Sequence, residues 1–183
     1  MLASELRAML GNGQLSRIFD FVKTFNAVDD DYGFSPICGL DGDKIRRRLR
    51  YFVAQVAHES AGLTYTKELA SGKAYEGRKD LGNVKAGDGI RFKGRGYIQI
   101  TGRANYTALA KDLGIDCVNH PEMLEQPHWA LMSALWFWKT KHLNKYADKD
   151  DFTGLTRAVN GGTNGMSDRL SWLKKANHTI YTL

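Results

Sequence analysis

Two carboxylates and one hydroxyl stand at positions along the chain that suit acid–base chemistry. Glu59 and Glu68 are nine residues apart, and Thr101 ends the glycine-rich segment that follows them. Two carboxyl groups can act as general acid and general base in the hydrolysis of a glycosidic bond, with a water molecule between base and sugar. We therefore interpret these three side chains as the acid, the base and the water holder of a glycosidase.

Glu59 lies near the end of a predicted amphipathic helix that begins at Asp41 or Asp43 and stops before Gly62. The buried stripe of this helix recurs at helical spacing and consists of Leu49, Phe52, Val53, Val56 and Ala57. At about 100° per residue, Glu59 falls at the edge of that stripe. Partial burial and the negative end of the helix dipole both favour the protonated carboxyl, which a general acid needs. An ordinary surface residue at a helix end is the alternative that this argument leaves open.

Glycine recurs through residues 69–96, which disfavours a regular helix and predicts tight turns and short strands. Residues 91–93 and 97–101 are expected to form two short strands around the turn at residues 94–96. Glu76 and Asp88 lie in the same segment and are rival candidates for the base. A phosphate-binding loop is a weak alternative, because the glycines lack a Gly-Lys-Ser/Thr ending.

Most of the remaining chain shows helical spacing of apolar residues, and the fold class is predicted to be mainly α. The most apolar segment, residues 129–138, predicts a central buried helix whose aromatic side chains belong to the core rather than to a sugar-binding platform. Neither an internal repeat nor a low-complexity linker is evident. We expect a single catalytic domain over residues 1–183, with residues 1–40 forming N-terminal helices packed on it.

The composition is that of an ordinary globular protein, with 43% hydrophobic and 25% charged residues in a chain of 183. A formal charge of +6 and a pI near 9.3 suit an anionic partner such as nucleic acid, a membrane surface or a bacterial envelope. The basic cluster at residues 44–50 is interpreted as a solvated helix face. Exposed aromatic residues are not interleaved with it, so we expect no nucleic-acid binding.

Several further features are expected to be absent. The apolar runs fall short of the ~20 residues that a membrane span needs, so we expect no stable membrane insertion. Charges near Met1 stand where a signal peptide would need an apolar stretch. Cys38 and Cys117 lack metal-ligand spacing and are expected to be free thiols. The five histidines are scattered, so we expect no metal site and no cofactor.

Five short motifs, in one order, resemble glycoside hydrolase family 19, which includes plant and bacterial chitinases and many phage endolysins. They are His-Glu-Ser-Ala-Gly at 58–62, Gly-Arg-Gly-Tyr-Ile-Gln-Ile-Thr at 94–101, Ala-Leu-Trp-Phe-Trp at 134–138, Val-Asn-Gly-Gly at 159–162 and Asp-Arg at 168–169. The resemblance covers about residues 45–175 and is greatest to short single-domain phage endolysins, because little room remains for long cleft loops. It implies a lysozyme-like, two-lobed helical domain with a small antiparallel β-sheet beside the cleft.

The resemblance also implies a role for individual residues. Glu59 matches the general acid, Glu68 the general base, and Thr101 the residue that helps to hold the attacking water. Three polar residues match positions that hydrogen-bond the sugar, and these are Gln99, Asn105 and Asn160. Arg169 matches an arginine near the acid, and its charge opposes the effects that favour the protonated form of Glu59.

One position departs from the family pattern. Ala104 stands before Asn105 where plant members carry an aromatic residue, which puts the sugar contact there in doubt.

The function that the resemblance implies is that of a peptidoglycan hydrolase. It would cleave the β-1,4 bond between N-acetylmuramic acid and N-acetylglucosamine by an inverting mechanism, for host cell lysis. As a monomeric endolysin it would accumulate in the host bacterial cytoplasm and reach the periplasmic cell wall after release by a holin. A chitinase is the nearer alternative, a non-catalytic wall-binding protein is the second, and nucleic-acid binding comes last.

Overall fold

A computed structural model of the protein describes residues 1–28 and 42–181. These two ranges contain nine α-helices, joined by turns and short 3-10 helices. They are α1 (Ala3–Leu10), α2 (Leu15–Ala27), α3 (Gly42–Glu59), α4 (Asp88–Arg91), α5 (Arg103–Leu113), α6 (Pro127–Thr140), α7 (Asn144–Asp148), α8 (Phe152–Asn160) and α9 (Met166–Thr179). The prediction of a mainly helical, lysozyme-like fold is confirmed. Cys38 and the predicted helix cap Asp41 lie outside the described residues.

The chain divides into two compact units. The first unit comprises Met1–Thr64 and Leu135–Leu183, and the second comprises Tyr65–Ala134. The division runs through α6, whose first part belongs to the second unit and whose last part belongs to the first. The prediction of a single catalytic domain over residues 1–183 stays a prediction.

The first unit is built around α3, against which α7 and α9 pack. The predicted stripe of α3 is confirmed as core, since Leu49, Phe52, Val53, Val56 and Ala57 are all buried. Phe52 meets the edge of Trp138 from α6 at a ring-centroid distance of 5.2 Å. An edge-to-face pair of this kind adds roughly 0.5–1.5 kcal/mol beyond its buried area. Trp136 and Trp138 are buried, as expected for core aromatics of α6, whereas Trp129 and Phe137 are half-buried.

The second unit contains the glycine-rich segment, and its backbone corrects the prediction of a small β-sheet. Within the described residues, isolated antiparallel bridges join Lys67 to Arg95 and Arg95 to Ile100, in place of the expected strands. A longer ladder cannot form because the chain turns sharply between the bridges, with left-handed φ values of 78° at Gly96 and 57° at Gln99. The prediction of strands at residues 91–93 and 97–101 is therefore wrong.

Arg95 stabilises the turn that replaces the sheet. Its side chain is buried, and its Nε donates to the Glu125 carboxylate at 2.8 Å. Its Nη1 donates to the carbonyl of Arg91 at 2.8 Å and to the hydroxyl of Tyr106 at 3.2 Å. A buried guanidinium with several acceptors holds the surrounding backbone in one arrangement.

Three features of the described residues bear on the expected absences. None of the helices in residues 1–28 and 42–181 is both long and apolar enough to cross a bilayer. Over the same ranges, His, Cys, Asp and Glu side chains form no group of three or more suited to a metal ion. Cys117 is a buried free thiol, and burial raises the pKa of this thiol to about 11.

A buried ion pair connects α4 and α5 in the second unit. The Asp88 side chain is 1% exposed, and both of its oxygens accept from the Arg103 guanidinium. Asp88 Oδ2 also accepts from the backbone N–H of Lys85 at 2.9 Å. The hydrogen bond from Arg103 lowers the pKa of Asp88 to about 2, against the opposing effect of burial.

This ion pair predicts a defined loss of stability in acid. The folded-state pKa lies below the value of about 3.9 in an unfolded chain, so Asp88 contributes stability that is present above pH ~4 and is lost as pH falls toward 2. We expect Asp88→Asn to lower the free energy of unfolding by roughly 1.5–3 kcal/mol at neutral pH. The difference in the free energy of unfolding between wild type and Asp88→Asn should decrease between pH 4 and pH 2. Urea unfolding across that pH range measures it.

The matched control is Asp80→Asn, because Asp80 pairs with Arg78 on the surface and its side chain is 61% exposed. Exposed ion pairs contribute little to stability, so this variant should unfold like wild type. A difference between wild type and Asp88→Asn that stayed constant down to pH 2 would contradict the assignment of the pH dependence to Asp88.

Candidate active site

Glu59 is the last residue of α3, which agrees with the predicted position near the end of this helix. The helix ends there because Ala61, Gly62 and Leu63 all take left-handed backbone conformations. Ser60 stabilises this exit, since its buried hydroxyl accepts from the N–H of Leu63 at 2.9 Å. The Glu59 side chain is 20% exposed, so the carboxyl is partly buried at the negative end of a helix dipole.

Arg169, from the first turn of α9, holds the Glu59 carboxylate. Its Nη2 donates to Glu59 Oε1 at 2.5 Å, and its side chain is 2% exposed. The other two nitrogens of the guanidinium also donate hydrogen bonds. Nη1 donates to Gln55 Oε1, and Nε donates to the carbonyl of Asn164 at 3.2 Å. All three nitrogens of the guanidinium are thus engaged, and Glu59 accepts from a buried cation.

A second contact between α3 and α9 lies directly beside the first. His58 Nδ1 is 2.6 Å from Asp168 Oδ2, which also accepts from the indole N–H of Trp172 at 3.1 Å. Two consecutive residues of α3 therefore contact two consecutive residues of α9. This double contact holds the end of α3 in register with the start of α9 and gives His58 a structural role.

In the second unit, the Glu68 carboxylate is held by neutral donors. Its Oε1 accepts from the hydroxyl of Tyr75 at 2.9 Å, and its Oε2 accepts from the N–H of Gly94 at 3.0 Å. The backbone N–H of Glu68 in turn donates to the carbonyl of Gly94 at 2.9 Å. Burial and the bond to Glu68 raise the pKa of the Tyr75 hydroxyl, which keeps it a donor at neutral pH.

Gly94 permits this close approach of backbone to carboxylate. A Cβ at this position would lie 2.7 Å from Gln99 Oε1 and 3.3 Å from Glu68 Oε2. Lys93 closes the other side of the loop, because its Nζ donates to the carbonyls of Glu68 and Ala70, both at 2.9 Å. The Glu68 backbone and side chain are therefore both held in place within this unit.

The two rival carboxylates have structural partners in the loop. Glu76 accepts from the backbone N–H groups of Gly87 and Gly89, at 2.7 and 2.8 Å. Asp88 is buried and paired with Arg103. Their use in holding the loop favours Glu68 as the base, and this assignment stays a prediction.

Thr101, Gln99 and Asn105 lie together at the end of the turn that follows Gly94. The Thr101 hydroxyl donates to the carbonyl of Gln99 at 2.9 Å, so its oxygen offers lone pairs to a further partner. The Gln99 side chain donates to the carbonyl of Gly96 at 3.0 Å, and Asn105 Nδ2 donates to the carbonyl of Thr101 at 2.8 Å. The turn and the start of α5 are therefore joined by side-chain contacts.

Asn160 is the last residue of α8 and is exposed. Its Nδ2 lies 3.5 Å from the carbonyl of Asn164, which also accepts from Arg169. The candidate sugar-binding residue Asn160 and the arginine that contacts Glu59 thus share one carbonyl.

The structure distributes the predicted site residues between the two units. Glu59, Asn160 and Arg169 belong to the first unit, where Arg169 contacts Glu59 directly and shares the Asn164 carbonyl with Asn160. The second unit holds Glu68, Gln99, Thr101 and Asn105. Their roles in catalysis and sugar binding stay predictions.

Sequence reasoning missed Gln55 and Tyr75, which contact the candidate groups directly. The sequence does indicate Gln55, since it is a polar residue inside the otherwise apolar stretch 52–57 and stands one helical turn before Glu59. No pattern in the sequence indicates Tyr75, because its contact with Glu68 depends on the path of an irregular loop.

The fold is that of chitinases of known structure. A mutant of chitinase C gives a TM-score of 0.78 at 19% identity, over 100% of this chain and 93% of that chain. Chitinase C from Streptomyces griseus HUT6037 gives a TM-score of 0.72 at 23% identity, over 97% of this chain and 75% of that chain.

A family model described as chitinase class I matches residues 17–164. The chain belongs to glycoside hydrolase family 19, as its motifs indicated. The match begins closer to the N-terminus than the predicted limit of residue 45 and ends before the predicted limit of residue 175. The greater resemblance to phage endolysins stays a prediction.

Relatives of known sequence agree with this membership. A glycosyl hydrolase family 19 domain-containing protein of Haemophilus influenzae is 37% identical over 56% of this chain and 49% of its own length. An endochitinase of Arabidopsis thaliana is 33% identical over 87% of this chain and 53% of its own length. The chain spans about half the length of the curated relatives that it matches.

The contact between Tyr75 and Glu68 predicts a loss of catalytic rate in Tyr75→Phe. Without the phenol donor, one oxygen of Glu68 loses the bond that orients it. If Glu68 is the base, as predicted, its misplacement costs roughly 10- to 100-fold in rate. We expect kcat for glycan hydrolysis to fall by about this factor, with KM nearly unchanged. Tyr146→Phe, in the other unit, is the control. A wild-type kcat in Tyr75→Phe would mean that the phenol does not orient the base.

Proposed function

We propose that the protein is an inverting glycoside hydrolase that cuts the β-1,4 bond between N-acetylmuramic acid and N-acetylglucosamine in peptidoglycan. The observation that carries this proposal is the contrast between the two candidate carboxylates. Glu59 contacts a buried cation, whereas Glu68 contacts two neutral donors. Different environments for two carboxyl groups are how glycosidases give them different roles.

In the proposed mechanism, Glu59 acts on the leaving group. Its carboxyl proton moves to the glycosidic oxygen as the bond from that oxygen to the anomeric carbon breaks. The carboxylate left behind carries a negative charge, and the Arg169 guanidinium stabilises it as it forms.

Glu68 acts on water in the same displacement. It takes one proton from the water molecule whose oxygen bonds to the anomeric carbon, and Tyr75 and Gly94 fix the direction of the receiving carboxylate. The Thr101 oxygen accepts a hydrogen bond from the second hydrogen of that water, because its own proton is given to Gln99. One proton is thus delivered and one is received, and the anomeric configuration inverts.

Three polar side chains are assigned to the polysaccharide. Gln99, Asn105 and Asn160 would hydrogen-bond hydroxyl and N-acetyl groups of the sugars. Gln99 and Asn105 are half-buried and each uses one amide N–H internally, which leaves their carbonyl oxygens as acceptors. Such a set needs neither a metal nor a cofactor.

Peptidoglycan is preferred to chitin on the basis of charge and motif resemblance. A net charge of +6 would hold the protein to an anionic bacterial envelope, whereas chitin is uncharged. Chitinase activity is the second candidate, because relatives such as the Arabidopsis thaliana protein bear the name endochitinase. A non-catalytic wall-binding protein is disfavoured, since both carboxylates and Thr101 are present.

The same proposal assigns a place of action. The protein would act as a monomer for host cell lysis, accumulating in the host bacterial cytoplasm. It would reach the periplasmic wall when a holin opens the membrane.

Mass spectrometry of digested, purified peptidoglycan tests the bond that is cut. Wild type should release muropeptides with new reducing N-acetylmuramic acid ends, and Glu59→Gln and Glu68→Gln should each lower the rate by 10²-fold or more. Asp80→Asn is the control, since Asp80 is an exposed carboxylate of the same chain. Intact glycan with freed peptides would identify an amidase or peptidase and end the glycosidase proposal.

Two further measurements separate the candidates. Release of N-acetylglucosamine oligomers from chitin, without products from peptidoglycan, would establish the chitinase. Proton NMR of the first products should show the α-anomer, because an inverting enzyme acting on a β-linked substrate produces it. A first product in the β-configuration would exclude single displacement.

A further inference from the structure

A buried polar chain lies behind the arginine that contacts Glu59. Gln55 and Thr156 are both 0% exposed, although every neighbour of Gln55 in residues 52–57 is an apolar core residue. Gln55 Oε1 accepts from Arg169 Nη1, and Gln55 Nε2 donates to Thr156 Oγ1 at 3.0 Å. The Thr156 hydroxyl donates to the carbonyl of Phe152 in α8 at 3.0 Å.

The chemistry of these groups fixes the direction of every bond. An arginine can only donate, so the Gln55 carbonyl oxygen must face it and the Gln55 amide nitrogen must face Thr156. The Thr156 oxygen accepts that bond, and its proton is therefore free to go to the backbone carbonyl. All the donors point away from Arg169, and bonds aligned in one direction polarise and strengthen one another.

The chain ends on a helix backbone rather than in solvent. Phe152 is the first residue of α8, and its carbonyl is part of that helix. The position of the Arg169 guanidinium is thereby tied to α8 through Gln55 and Thr156. Glu59 Oε1 accepts from Nη2 of the same guanidinium at 2.5 Å.

We propose that Gln55 is a positioning residue for the general acid, an inference that rests on the proposed function of Glu59. Its side-chain carbonyl holds the Arg169 guanidinium against Glu59. As a neutral acceptor, it also leaves the whole positive charge to act on the Glu59 carboxylate. A carboxylate in the same place would share that charge.

The other charged groups at this end of α3 already have partners. From α9, Asp168 contacts His58 and Trp172, and Arg169 contacts Glu59. From α8, the group that reaches Gln55 is the uncharged Thr156 hydroxyl. The charge balance around the acid therefore depends on which acceptor stands at position 55.

Gln55→Glu tests the charge argument with almost no change of shape. The new carboxylate competes with Glu59 for the guanidinium, so Glu59 keeps its proton to higher pH. The alkaline limb of the kcat/KM profile, where the acid loses its proton, should move up by on the order of one pH unit. The acidic limb, which reports the base, should stay in place.

Gln55→Leu tests the positioning argument. It removes the acceptor of Arg169 Nη1, and kcat should fall by about 10- to 100-fold as the guanidinium and the acid lose their fixed geometry. Thr156→Val should give a smaller loss in the same direction, and Thr156→Ser should restore activity by returning the hydroxyl.

Tyr51→Phe is the matched control. Tyr51 is buried on α3 one turn before Gln55, and its hydroxyl donates to Asp150 at 2.6 Å, outside the chain to Arg169. It removes a comparable hydrogen bond and should leave both limbs of the pH profile unmoved. A thermal melt of each variant identifies any loss of rate that comes from unfolding.

A readout without turnover separates this inference from the proposed function. The titration of the Glu59 carboxyl, followed by carbon NMR of labelled protein and assigned with Glu59→Gln, should move to higher pH in Gln55→Glu. If the wild type hydrolyses no glycan but the titration still moves in Gln55→Glu, the proposed function is wrong and the role of Gln55 in the contact network stands. An unmoved titration, with an unmoved alkaline limb, would overturn the role assigned to Gln55.

Discussion

The buried guanidinium of Arg169 is the constraint on which the first unit depends. A charge with 2% exposure is stable in a protein interior only when acceptors surround it. Its three edges meet Glu59, Gln55 and the carbonyl of Asn164, which come from α3 and from the loop before α9. The need to satisfy one cation thus sets the relative position of α3, α9 and the loop that follows Asn160.

The second unit holds its carboxylate by a different physical means. Glu68 contacts a phenol and a backbone N–H, so its position depends on the path of the glycine-rich loop. The absence of a side chain at Gly94 lets the backbone approach the carboxylate. Arg95, the next residue, is anchored by Glu125 and fixes the turn that aims this N–H. The loop is irregular in shape but is held by specific contacts.

Sequence reasoning succeeded where periodicity and local signals agree. The stripe of α3 and the position of Glu59 in its last turn follow from helical spacing and from Gly62. The prediction of a β-sheet was wrong because strand propensity does not reveal the left-handed backbone at Gln99, which is not a glycine. Gln55 and Tyr75 escaped notice since their partners, Arg169 and Glu68, are set by tertiary packing or by loop path.

The pairing of a cation with the proposed acid has a consequence for catalysis. The Arg169 guanidinium contacts Glu59 before any proton is transferred, and a contact that stabilised ground state and transition state equally would not speed the reaction. Its attraction grows, however, as the proton leaves and the carboxylate charge develops, so it acts more strongly on the transition state than on the ground state. The stabilisation of a carboxylate at Glu59 therefore depends on how much of the Arg169 charge reaches it, and Gln55, as a neutral acceptor, leaves that charge undivided.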